Sequence, residues 1–291
     1  MKPLSASDFL PLNIFEGIYP VKVNLVYAKP DHADNHFKNL YHPDARLLWV
    51  HKDILPILLL VSVQLYYQSA WSLRVNDVLR PIEAQLAMAN YGYPENLVSP
   101  PGVGAHPRGM SIDIEPVDQR GRSIEMGTPY DFFASDLANN PAARDAEAFS
   151  GKTPKEAQAI VLRRLTLTDT VSMAAKMFGH EILPLPDEWW DYRFKKGDES
   201  RVATSTYWDD FGPATEGDYE KKTGTPMAGA WLMPDYMKLV GKPAPVPAEV
   251  KQAWVEAFKK INDDVRNKAE ILGIAWLVPR NSTPNYSDLT P

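Results

Sequence analysis

The 291-residue chain has no cysteine, which removes disulfides, thiolate nucleophiles and cysteine-ligated zinc together. Any metal it binds must sit on histidine, aspartate or glutamate. It also has no run of lysine or arginine. Its 31 basic residues stand against 37 acidic ones, for a net charge of −6, so there is no cationic patch to follow a phosphate backbone and nucleic acid is not an expected partner. A membrane-length apolar span is missing too. The run ILPILLLVSV, Ile54 to Val63, is about half of what a spanning helix needs and carries a proline, so it reads as a buried helix without membrane insertion. The opening MKPLSASDFLPLN lacks the basic and apolar parts of a signal peptide.

What is present is enough apolar material, 44% of residues, for a substantial core in one large domain or one domain with an appendage. VKVNLVYA (Val21 to Ala28) and SLRVNDV (Ser72 to Val78) alternate as strands do, and MSIDIEPV follows a Pro/Gly loop as a short strand. Helices are expected from about His51 to Ala70, over Arg80 to Gly92, over Thr153 to Gly179 from its capping-box start, and over Pro247 to Gly273. Helices and strands that do not alternate as βαβ units indicate an α+β fold: a small antiparallel sheet with helices packed around it. Composition shifts after Phe194 to a charged, Gly/Thr-rich stretch. The division expected is therefore 1–194 as the main domain and 195–291 as a C-terminal extension packed on it.

Three clusters carry candidate chemistry. In HPRGMSID, His106 and Asp113 are seven apart. An odd spacing points two side chains to opposite faces of a continuous strand, so they converge only if the PRG turn breaks the register. They are either two metal ligands or a surface histidine and an exposed acid. In DEWWDYRF, Glu188 and Asp191 flank two tryptophans. Large rings exclude water and make a nearby carboxylate a stronger base or a tighter ligand, although acids edging a core would look the same. Arg80 stands at a strand-to-helix join, where a guanidinium could meet an anion or simply pair with an acid. His180, at the end of an expected helix, reads as a carbonyl cap. His32, His36, His42 and His51 read as solvated residues of the early loop and helix.

The order of these motifs resembles the D-Ala-D-Ala dipeptidases of the vancomycin-resistance type, zinc peptidases that cut peptidoglycan stems. LRP (Leu79 to Pro81) is similar to the family's YRP, and GAHPRGMSID (Gly104 to Asp113) to its S-x-H-x-x-G-x-x-x-D. MGTPYD (Met126 to Asp131) and EWWD are similar to its MGT-x-(F/Y)-D and EWWH. The resemblance spans about residues 20 to 194. It implies hydrolysis of a peptide bond in a D-alanine-containing dipeptide or a peptidoglycan stem peptide. His106, Asp113 and Asp191 would then be metal ligands and Glu188 the base that takes a proton from the metal-activated water. Arg80 would stabilise the oxyanion, and Asp131 would hold the substrate's amino group. Where the family has a third histidine ligand this chain has Asp191, so the implied zinc could give way to manganese or iron(II). Gly104 stands where the family has serine. A cell-wall substrate suits a periplasmic or extracellular protein, with a cytoplasmic location open as well. The reading from another class is a weak or inactive relative that binds peptidoglycan fragments.

Overall fold

The computed structural model describes residues 8–37, 40–41, 45, 47–92, 98–100, 104–196 and 248–286. Its strands are β1 (Phe9–Pro11), β2 (Val21–Val23), β3 (Trp49–His51), β4 (Ser72–Asp77), β5 (Ser111–Val117), β6 (His180–Pro184) and β7 (Asp191–Lys196). Its helices are α1 (Leu55–Ser69), α2 (Ile82–Ala89), α3 (Pro154–Met177) and α4 (Ala248–Ile271). The fold is α+β. A five-stranded sheet runs in the order β2-β4-β5-β7-β6, and β1 pairs with β3 in a separate ribbon.

The large sheet is mixed where a purely antiparallel one was expected, because β2 and β4 are parallel. The chain leaves β2, passes through β3 and α1, and returns as β4 in the same direction, the long crossover that a parallel pair requires. The expected strand over Val21 to Ala28 is cut short. It pairs only to Val23, and Val26–Ala28 forms a 3₁₀ turn that buries Tyr27.

Helix α1 is apolar on all sides and buried from Leu55 through Leu65, the mark of a central helix. It packs against α3, α4 and β4. Helix α3 begins with Pro154 in its first turn and a reciprocal capping box between Thr153 and Glu156, which satisfies two otherwise orphaned backbone donors. Helix α4 buries Trp254, Phe258, Ile261, Val265 and Ala269 at spacings of three and four. Phe258 stacks on Phe15 at 4.7 Å and Trp254 meets Trp49 edge-on at 5.8 Å. Tyr19 Oη donates to Asn262 Oδ1 at 2.6 Å, so α4 shares one continuous core with the sheet. Residues 197–247, including the acidic YWDDF from Tyr207 to Phe211, lie outside the described residues, as does His42. Among the described residues no helix is long and apolar enough to cross a membrane.

Candidate metal centre

The sheet sets three aspartates side by side. Asp113 on β5 is the cross-strand partner of Asp77 on β4 and of Asp191 on β7. A register shift between Val75 and Asp77 produces the first pairing; such a bulge re-aims a side chain. Like charges directly opposite each other on neighbouring strands are destabilising, and here all three residues are buried. Arg80 pairs with Asp77 and Arg193 with Asp191.

His106 arrives from the loop before β5. His106–Arg108 forms a 3₁₀ turn closed by Gly109 at φ 66°, and this turn breaks the register as the odd spacing required. A Cβ on Gly109 would lie 2.5 Å from Phe9 Cε1, so glycine is needed for space as well as for its backbone conformation. His106 Nδ1 is 2.8 Å from the Val78 carbonyl. A carbonyl only accepts, so Nδ1 carries a hydrogen, and in the neutral imidazole Nε2 is then the nitrogen that offers a lone pair. That Nε2 faces Asp113 Oδ1 at 3.3 Å.

Asp113 Oδ1 is buried with no hydrogen-bond partner among the described residues, while Oδ2 accepts from Tyr130 Oη at 3.1 Å. Two ligands about 2.0 Å from a tetrahedral zinc are themselves about 3.3 Å apart. The orphaned oxygen and the free imidazole nitrogen therefore fit adjacent positions around one ion. Asp77, His106 and Asp113 all offer ligand atoms within 4.8 Å of one another, so this buried group can hold a metal.

Asp77 was not anticipated, and its hydrogen bonds show a second employment. Oδ2 takes Arg80 Nε at 2.8 Å and Nη2 at 2.6 Å, and Oδ1 takes Tyr41 Oη at 2.7 Å and the Val78 amide at 3.1 Å. Four bonds fill a carboxylate's lone pairs. Asp191 stands outside the group of atoms within 4.8 Å. Its Oδ1 accepts from Ser111 Oγ at 2.6 Å and its Oδ2 from Arg193 Nε and Nη2 at 3.3 and 3.2 Å, which leaves one lone pair on Oδ1 open.

The other expected site residues converge here. Arg80, Asp131, Glu188 and Asp191 line the same cavity as His106 and Asp113. Arg80 is buried, and besides Asp77 it gives Nη1 to Gln85 Oε1 at 3.0 Å. Asp131, at φ 56°, accepts from Tyr27 Oη at 3.2 Å. Glu188 lies in the loop between β6 and β7, with the buried Trp189 and Trp190 packed edge to face at 5.4 Å beside it. Trp189 Nε1 donates to Thr128 Oγ1 at 2.9 Å, and Trp190 meets Tyr130 edge-on at 5.6 Å. Both rings are buried next to Glu188 in the chain, outside the lining of the cavity itself.

Burial, then Asp191, Asp113 and Asp131, push the Glu188 carboxyl well above the usual carboxylate range. Burial and Asp113 do the same to Asp131. Burial also raises Asp113, against the pull of His106. For His106 burial works downward, but Asp113 outweighs it and the imidazole ends above its ordinary value. Asp191 runs the other way, because Arg193 and His106 overcome its burial. The cavity, about 40 Å³, has room for an ion and a few waters, one water needing roughly 10–15 Å³.

His180 neither caps a helix nor lines the cavity; it opens β6 opposite Lys196. His36 stacks on Phe133 at 4.9 Å. No protein-family model matches the chain, and no curated protein does, so the functional reading stands on the chemistry of the site and on the motif resemblance.

Proposed function

We propose that the chain is a metal-dependent peptidase that hydrolyses a peptide bond in a D-alanine-containing dipeptide or peptidoglycan stem peptide, in the periplasm or outside the cell. One observation carries the reading: six side chains from four separated motifs, in the dipeptidase-like order, line one buried cavity.

His106 through Nε2 and Asp113 through Oδ1 would hold the ion, with Asp191 as third ligand through its open Oδ1 position. Zinc fits, and the two carboxylates admit manganese or iron(II) as well. When bound, the ion supplies Lewis acidity toward a carbonyl and toward water. Glu188 takes the proton of the attacking water, since its desolvated carboxylate is a strong base, and returns it to the departing amine. Arg80, fixed by Asp77 and Gln85, meets the negative charge that grows on the carbonyl oxygen. Asp131 receives the substrate's ammonium group, whose charge favours the ionised carboxylate. Trp189 and Trp190, buried next to Glu188 in the chain, would help to keep bulk water from it.

The test is release of free D-alanine from D-Ala-D-Ala by protein loaded with zinc or manganese, with L-Ala-L-Ala and the Glu188→Gln variant as controls. Stereoselective release that disappears in the variant supports the proposal. Absence of turnover on D-dipeptides and on stem peptides by metal-loaded protein contradicts it. The engagement of both Asp191 oxygens by Ser111 and Arg193 favours a second reading, a peptidoglycan-fragment binder. That reading predicts calorimetric binding of the same peptides without cleavage.

A further inference from the structure

The sequence motifs did not single out Arg193, yet among the described residues it is the second guanidinium that lines the cavity. It sits two residues after Asp191 on β7, hence on the same face of the strand. Its Nε and Nη2 both turn back onto Asp191 Oδ2 at 3.3 and 3.2 Å. The cavity is lined by the carboxylates of Asp113, Asp131, Glu188 and Asp191, with Asp77 behind Arg80. Arg80 pairs with Asp77 at 2.6 Å. The other guanidinium among the described lining residues, Arg193, pairs with Asp191, and its side chain keeps 23% exposure where that of Asp191 keeps 4%.

We infer that Arg193 is a positioning residue that offsets the charge of Asp191 and so sets how much positive charge a bound ion retains. The inference rests on the metal-centre reading above. A neutral histidine and two carboxylates leave a divalent ion formally neutral. Arg193 restores one positive charge to the ensemble, as would be the case had the third ligand been neutral. The electrostatic strength of an ion toward a carbonyl depends on that remaining charge. The arrangement therefore trades affinity for Lewis acidity: Arg193 repels the ion it tunes. A residue that merely braced Asp191 would do the opposite and tighten binding. The sign of the effect on affinity separates the two roles.

The experiment measures zinc and manganese affinity by competition with a chromophoric chelator, for the wild-type chain, Arg193→Gln and Arg193→Lys. Unfolding curves establish that each variant is folded, and Arg193→Met replaces Arg193→Gln if that variant is not. Removing one charge near a divalent ion predicts binding tighter on the order of tenfold in the glutamine variant, with the lysine variant near wild type. Equal or weaker binding in a folded glutamine variant overturns the inference while leaving the metal centre intact. A wild-type chain that binds neither ion overturns the metal centre itself, and this inference with it.

Discussion

Asp113 and Asp191 are direct cross-strand partners on β5 and β7, two buried carboxylates set side by side. Each oxygen of Asp191 has a donor, from Ser111 or Arg193, whereas Asp113 keeps one oxygen without any among the described residues. A buried acceptor left unsatisfied costs about 1–3 kcal/mol. A cation shared with His106 Nε2, 3.3 Å away, removes that cost, and the following outcomes are expected from it.

Glu188→Gln retains metal and loses turnover. The amide preserves shape and cannot take a proton, so kcat falls by about 10²- to 10⁴-fold with little change in KM. Steady-state kinetics beside metal analysis checks both halves; a fall in metal content would instead make Glu188 a ligand.

Tyr130→Phe weakens metal binding without removing a ligand. The phenol donates to Asp113 Oδ2 at 3.1 Å and fixes the carboxylate, and loss of such an outer partner typically costs about 10- to 100-fold in affinity. Chelator competition on this variant reads the effect directly.

Gly109→Ala is destabilised by at least about 2 kcal/mol, from a left-handed backbone that alanine resists and from a Cβ 2.5 Å from the Phe9 ring. Because Gly109 ends the turn that carries His106, metal affinity falls with stability. Urea unfolding with and without zinc measures the two together.

Acid lowers stability through His51. Burial depresses this imidazole from its ordinary value to about 4, against the opposing pull of Asp53 and Asp8. The unfolded chain takes up a proton near pH 6.5 that the folded chain refuses, so the contribution is complete above pH 6.5 and is lost as pH falls toward 4. The loss is about 3 kcal/mol. His51→Asn flattens this limb relative to wild type, as denaturant unfolding at pH 7 and pH 4.5 would show. Glu188, Asp131 and Asp113 have raised values and act with the opposite sign in both proteins, so the difference between the two isolates His51.

Much of the site was legible because its residues lie in short motifs whose local geometry is set by turns. The PRG turn lets His106 reach Asp113, and the β6 to β7 loop turns the chain between Glu188 and Asp191. Strand β4 follows from its alternation, α1 from an apolar run too short to span a bilayer, and α3 from its capping-box start. Asp77 was not legible. Simple alternation would place Asn76, not Asp77, opposite Asp113, and only the bulge after Val75 exchanges them. Tyr27 was hidden similarly, since its β-branched surroundings suggested a strand and the chain instead turns to bring its hydroxyl to Asp131. Arg193 resembles any polar strand residue until the register places it beside Asp191.

The most direct test of the account is the metal content of protein purified without added metal, alongside Asp113→Ala, Asp191→Ala and Asp77→Ala. The account predicts about one divalent ion per chain in the wild type, lost in Asp113→Ala and Asp191→Ala and kept in folded Asp77→Ala, whose carboxylate serves Arg80. A wild-type chain that carries no metal and gains no affinity for zinc, manganese or iron(II) would contradict it.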